Sequence, residues 1–287
     1  MNRLLASALS LTLLAGCSLR EPMPANQGDV PTLTPRTSTY HDLLALPRPS
    51  GRLVAAVYGF RDQSGQYKPN PASSFSTAVT QGAASMLVDA MQASGWFIVL
   101  ERESLQNVLT ERKIIRASQN KPEVAANIAD DLPSLRAANI LLEGAIIGYD
   151  TNVRTGGQGA RYLGIGASQE YRVDQVTVNL RAVDVRSSQV LANVMTSKTI
   201  YSIARSASVF KYIEYKELLE AEAGYTTNEP AQLCVLSAIE AAVAHLVAQG
   251  VERHLWTVAA GQDLTQTSLP RYLDPPPMPP MPALAAD

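Results

Sequence analysis

Apolar and polar residues follow three rhythms along this chain, and each rhythm predicts a different kind of element. Leu53 to Tyr58 is an unbroken apolar run, the pattern of a short strand buried on both faces. Val79, Ala83, Met86, Leu87, Ala90 and Met91 recur at helical spacing, and Gly95 stops that helix. Trp96 to Leu100 is a second apolar strand. Ser104 to about Arg116 reads as a helix with Leu105, Val108 and Leu109 inward and Glu111, Arg112 and Lys113 outward. Asn120-Lys121-Pro122 breaks it, a short helix follows around 134–138, and Ile140 to Ile147 is a third strand. This order predicts a compact α/β domain over 51–150, with helices packed on a sheet.

From 151 the rhythm changes to strict alternation. The stretch 151–175 is rich in Gly, and around Tyr162 it places Arg161, Leu163, Ile165 and Ala167 on one face, with Ala160, Tyr162, Gly164 and Gly166 on the other. Val176 to Leu180 alternates more strongly. Arg186-Ser187-Ser188-Gln189 is a hairpin turn, and Val190, Ala192 and Val194 form the return strand of a pair over 176–200. The stretch 201–227 repeats the pattern: Ile203, Ala207, Val209 and Ile213 alternate with Ala204, Ser206, Ser208 and Phe210. Leu219, Ala221 and Ala223 alternate with Glu220 and Glu222, and Tyr201, Tyr212, Tyr215 and Tyr225 lie near the ends. Alternation over ~9–11 residues with flanking aromatics is the signature of a transmembrane β-strand. Lys211, Lys216 and Glu217 suit the alternative, long amphipathic hairpins or helices on a soluble protein. Two hairpins supply four strands, whereas closed membrane barrels begin at about eight. Open edges in lipid leave unpaired backbone groups, so hairpins that insert must come from several chains sharing one barrel. The region 228–260 reads as a helix starting near Pro230 and running through Leu233, Leu236, Ile239, Val243 and Leu246 to Gly250. The tail 261–287 has six prolines after Leu273 and no core, the pattern of disorder.

The N-terminus sets the compartment. Arg3 and the apolar run Leu4 to Leu14, too short to span a bilayer, read as a signal peptide over 1–16. Leu14-Ala15-Gly16-Cys17 is a bacterial lipobox, which makes Cys17 the acylated first residue of the mature chain; the alternative is an ordinary signal peptide beside a Cys. Ser18, where an Asp would favour the inner membrane, points to outer-membrane lipid, and several acyl chains anchor stably. The segment 17–50, with its many prolines, reads as an extended tether. Cys234 is then the one thiol left, a small core residue with no disulfide partner. Removing Arg3 leaves 23 basic residues against 26 acidic, a balance that offers nothing to nucleic acid. No P-loop, dinucleotide fingerprint, G-x-S-x-G or H-E-x-x-H is present, and His245 and His254 are too scattered for a metal site. The expectation is a protein that is not an enzyme and takes no cofactor or metal.

One stretch stands out: Gln66 to Thr77. Pro69 and Pro71 fix φ and forbid regular structure, and Ser73, Ser74 and Ser76 offer N-caps to a helix beginning at once. Phe75, one of four Phe, sits at that junction. Many copies of such a stiff loop would line the narrow point of a pore; taken alone, the loop reads first as a solvent-exposed connection.

Pro71-Ala72-Ser73, Phe75 to Val79, Glu111 to Arg116, Gly159 to Tyr162, Gly164 to Ala167, Thr196 to Ile200 and Gly224-Tyr225-Thr226 together resemble the CsgG family of outer-membrane curli secretion channels, in order from about Pro31 to about Trp256. The resemblance implies a nonameric ring in which each protomer gives two β-hairpins to a shared transmembrane barrel above a periplasmic vestibule. Unfolded curli subunits would pass with no nucleotide hydrolysed. The other partners implied are a periplasmic capping and specificity factor and an extracellular factor coupling secretion to nucleation. Loop 66–77 becomes the constriction, where the family pattern of Tyr, Asn and Phe is met by Asn70, Ser74 and Phe75. Only the Phe is kept. A periplasmic assembly or scaffold lipoprotein with soluble hairpins is the competing class.

Overall fold

The computed structural model describes residues 33, 36–67, 79–119, 132–162, 165–214, 217–228 and 231–273; within these, 151–156, 158–167, 172, 201–214 and 217–228 are described by backbone alone. Six strands form one sheet in the order β2-β1-β3-β4-β5-β6: β1 Leu53–Asp62, β2 Phe97–Glu101, β3 Ile140–Tyr162, β4 Ile165–Asp184, β5 Val190–Glu214 and β6 Glu217–Asn228. β1 is parallel to both β2 and β3, and every later pair is antiparallel. The expected segment boundaries at 150/151, 175/176 and 200/201 fall inside β3, β4 and β5, which continue across them, β3 with a shift of register against β4 between Asp150 and Arg154.

Among the described residues five helices accompany the sheet: α1 Ser38–Leu44, α2 Ala83–Ala93, α3 Leu105–Gln119, α4 Ala231–Glu252 and α5 Leu269–Leu273. α4 is long and apolar enough to cross a membrane by composition, but it packs against β4 and β5 on one side and α1, α2 and α5 on the others. Its buried face carries Val235, Ile239, Val243 and Leu246, with the buried Cys234 among them, so it is the core helix. Val57 and Phe60 of β1, Leu142 and Ile146 of β3 and Val178 and Leu180 of β4 belong to the same buried core on the sheet side. Gly144 is needed there, since a Cβ would lie 2.1 Å from Asn179 O and 2.7 Å from the Phe60 ring.

Four expectations need correction. The tether does not stay extended: Thr37 caps α1 by accepting from Tyr40 N, Leu43 and Leu46 are buried, and Pro49 bridges to Val258. Two leucines on a capped turn are enough once α4 supplies a surface. Val79 is buried but precedes its helix, which starts at Ala83; Thr80 Oγ1 accepts from Gly82 N at 3.1 Å and holds a turn in between. The short helix at 134–138 is absent. Arg112 donates to Pro133 O (2.6 Å) and Arg102 to Arg136 O (2.7 Å), which takes carbonyls a single helical turn would need. Finally, 261–273 is folded. A 3-10 turn at Leu264–Gln266 leads into α5, whose Leu269 and Tyr272, three apart, are both buried against the core. The prolines after Leu273 lie outside the described residues.

Candidate functional site

Cys17, Pro69, Asn70, Pro71, Ser74 and Phe75 all lie outside the described residues. What the structure gives is the base from which their loop springs. β1 ends at Asp62, opposite Ile146 of β3, and Gln63 N donates to Ile146 O at 2.8 Å. Asp62 Oδ1 accepts from Ser64 N (2.9 Å) and Ser64 Oγ (2.6 Å), turning the chain, and Gly65 follows at φ 67°. Asp62 Oδ2 accepts from Gln81 Nε2 at 3.3 Å. One carboxylate therefore turns the outgoing stem and clasps the returning one. In the sequence, Asp62-Gln63-Ser64-Gly65 reads as a turn and nothing more. Gln81, in a stretch read as helix, gives no sign of the clasp.

Past Ile146, β3 leaves β1 behind and continues with β4, β5 and β6 alone. The pairing sets the residues of these four strands in rungs. Tyr162, Ile165, Val209 and Ala221 form one, and Ala160, Ala167, Ala207 and Ala223 another. The rungs of opposite parity hold Arg161, Gly166, Ser208 and Glu222, then Gly159, Ser168, Ser206 and Gly224. This corrects the expected face around Tyr162. The two-residue connection at 163–164 sets Tyr162, not Arg161, opposite Ile165, so Arg161 moves into the polar rung.

Lower in the sheet, the face away from α4 is a polar ladder. Arg181 pairs with Glu143 at 2.9 Å, Asn179 Nδ2 donates to Asn193 Oδ1 at 2.8 Å, and Thr177 meets Ser197 at 3.1 Å. Among the described residues no group of His, Cys, Asp and Glu could hold a metal ion. Two titratable groups of α4, the half-buried His245 and the buried Glu240, are tied to structure. Burial pushes His245 below its usual range while its Nδ1 lies 3.1 Å from Tyr272 O. Burial pushes Glu240 above the usual carboxylate range against threonine donors.

The profile of the family described as "Curli production assembly/transport component CsgG" matches residues 36–271. The protein of that description from Salmonella typhimurium (strain LT2) is 50% identical over 272 residues, covering 95% of this chain and 97% of its own. That of Escherichia coli (strain K12) is 50% identical over 264 residues, covering 92% and 94%. Among solved structures, lipoprotein GNA1162 from Neisseria meningitidis matches 51% of this chain and 82% of its own at 15% identity, with a TM-score of 0.27 that carries no argument. At half identity over nearly the whole length of both chains, and with the profile spanning α1 to α5, this chain belongs to the CsgG family of curli production assembly/transport components.

Proposed function

We propose that the chain is an outer-membrane lipoprotein, acylated on Cys17, whose copies form a ring, nine on the family pattern, around a single transmembrane β-barrel. Each copy contributes the distal parts of β3 to β6. Unfolded curli subunits leave the periplasm through this barrel with no nucleotide hydrolysed. Loop 66–77 narrows the passage with Asn70, Ser74 and Phe75, and Pro69 and Pro71 stiffen it. A periplasmic factor caps the ring and selects cargo, and an extracellular factor couples exit to nucleation. The chain is a conduit, not an enzyme, and it needs no cofactor and no nucleic acid.

The observation that carries this reading is the register. Two alternations read separately, in 151–175 and in 201–227, fall into common rungs: Ile165 and Ala167 stand beside Val209 and Ala207, and these beside Ala221 and Ala223. In the rungs at Ala160 and Tyr162 one parity is apolar and the other, at Gly159 and Arg161, is small or charged, as a sheet between lipid and water requires; the apolar parity turns polar at the rung of Gln158, Gln169, Arg205 and Tyr225. The length fits as well. β6 has 12 residues, about 40 Å along the strand and about 29 Å along the normal at a ~45° tilt, near the thickness of a hydrocarbon core. Single-channel recording of the purified full-length protein in planar bilayers tests the proposal. Uniform conductance steps are expected. A correctly folded protein that never conducts would overturn it in favour of a periplasmic assembly scaffold.

A further inference from the structure

We infer that the N-terminal strap, residues 36–50, is held to the core by a proton-linked latch: Glu240 of α4 grips the hydroxyls of Thr37 and Thr39, so that docking of the strap tightens as the medium acidifies and loosens as it turns alkaline. This inference stands on the latch and does not depend on the pore.

Glu240 is 1% exposed in the middle of the core helix. Its Oε2 accepts from Thr37 Oγ1 and, at 2.6 Å, from Thr39 Oγ1. Thr39 Oγ1 also meets Ser237 Oγ at 3.0 Å, one turn earlier on α4. Thr37 Oγ1 accepts from Tyr40 N at 3.0 Å while donating to Glu240, so the cap of α1 and the latch share one atom. These bonds join segments about 200 positions apart, and the strap supplies the hydroxyls that stand on the Glu240 carboxyl. A carboxyl group in this place is therefore desolvated by the strap itself.

The surrounding charges do not reverse that effect. Arg36 of the strap is committed to Asp89 of α2 at 3.1 Å and stacks 4.0 Å over the Tyr40 ring. Its field and the two threonine donors favour the ionised form, and Asp89 opposes it; desolvation is the largest influence and raises the affinity for a proton. Tyr272 of α5 is neutral, donating to Asp42 Oδ2 at 2.8 Å, and His245 of α4 turns to the Tyr272 carbonyl. From β5 beneath, the contact is Thr196 donating to Ala238 O.

The sign follows by linkage. With the strap lifted, Glu240 is hydrated and returns to about its ordinary value, 4.5. Below that, both states are protonated and docking is at full strength. Above it, the docked state holds one proton more than the lifted state. Each further pH unit then weakens docking by up to about tenfold, levelling off once the docked carboxyl also ionises.

Hydrogen exchange on the full chain, from about pH 4 to about pH 8 and corrected for intrinsic rates, reads this directly. Protection factors at 40–46 should fall with rising pH by up to ~tenfold per unit and then level off. In Glu240→Gln, whose amide still accepts both hydroxyls but does not titrate, the profile should be flat. In Thr39→Val, which removes a donor favouring the anion, the fall should extend to higher pH. His245→Asn should keep the wild-type slope. A flat wild-type profile, a slope surviving in Glu240→Gln, one lost in His245→Asn, or a Thr39→Val window moving to lower pH would each overturn the latch.

Discussion

Gly250→Ala is a substitution that helix propensity and packing judge oppositely. Gly250 lies within α4, where exchanging Gly for Ala ordinarily stabilises by about 0.5–1 kcal/mol. Here the new Cβ would stand 1.8 Å from two atoms of the Trp256 indole and 2.5 Å from its Nε1. The indole is 6% exposed, its Nε1 donates to Val247 O at 2.9 Å, and Leu255 N donates to Gly250 O at 2.9 Å. The helix backbone is fixed by its ladder, so the ring must retreat by about 1.5 Å to reach ordinary contact, breaking its hydrogen bond and its fit. The bond is worth about 1 kcal/mol, and removing a buried Trp outright costs about 3–5 kcal/mol. A net loss of about 2–4 kcal/mol is expected, well beyond the propensity gain. Chemical unfolding followed by far-ultraviolet circular dichroism measures it. The decisive control is Trp256→Ala, itself destabilising: in that background the clash is gone, and Gly250→Ala should stabilise by about 0.5–1 kcal/mol. If Gly250→Ala is harmless in the native background, or its sign does not reverse in the second, the packing argument fails.

Three further outcomes follow from the proposed function. Cys17→Ser should block acylation and leave the chain in the soluble periplasmic fraction, since acyl chains are its anchor before a barrel forms; normal outer-membrane fractionation would remove lipidation from the mechanism. Val209→Lys, in the apolar rung with Ile165 and Ala221, should cost about 2–4 kcal/mol per copy near the bilayer midplane and abolish assembly. Ser208→Lys, in the polar rung with Gly166 and Glu222, should assemble and alter conductance, and equal tolerance at both positions would exclude the transmembrane assignment. Phe75→Ala should raise conductance and impair secretion while Asn70→Tyr lowers conductance; if Phe75→Ala changes neither, the loop is not the constriction.

The sheet core was legible because each inner strand is a short apolar run ending in polar residues. The lengths of β3, β4 and β5 were not. At 175 and 200 the composition changes but the pairing does not, so a boundary in chemistry marks no boundary in the backbone; at 150 the strand also continues, but its pairing with β4 slips between Asp150 and Arg154. Face assignments hold within a strand and fail across a turn, as Arg161 shows, because two connecting residues decide the parity and only pairing reveals them. The strap and α5 were missed for another reason. Each contributes two large apolar anchors, Leu43 with Leu46 and Leu269 with Tyr272, too few to register as a period. What fixes them is distant: Asp42 binds Arg271 at 2.5 Å and Tyr272 at 2.8 Å across most of the chain. The Asp62–Gln81 clasp is hidden in the same way, joining two turns 19 positions apart.

The use of a single strand edge ties the loop to the arms. β1 occupies that edge of β3 up to Ile146 and ends there, where Asp62 turns the chain away into loop 66–77. Above that point β3 pairs with β4 alone among the described residues, and β6 pairs with β5 alone. In lipid both bare edges would leave backbone groups unsatisfied at several kcal/mol each, so the four-strand array is unstable there as a single copy. A ring satisfies them by setting the β6 edge of one copy against the β3 edge of the next. In such a ring every β3 changes partner at the same level, from its own β1 to a neighbour's strand. The strand that gives up the edge is the one that becomes the loop. On this reading the constriction lies at the base of the barrel because β1 must leave the sheet where the neighbouring copy joins it.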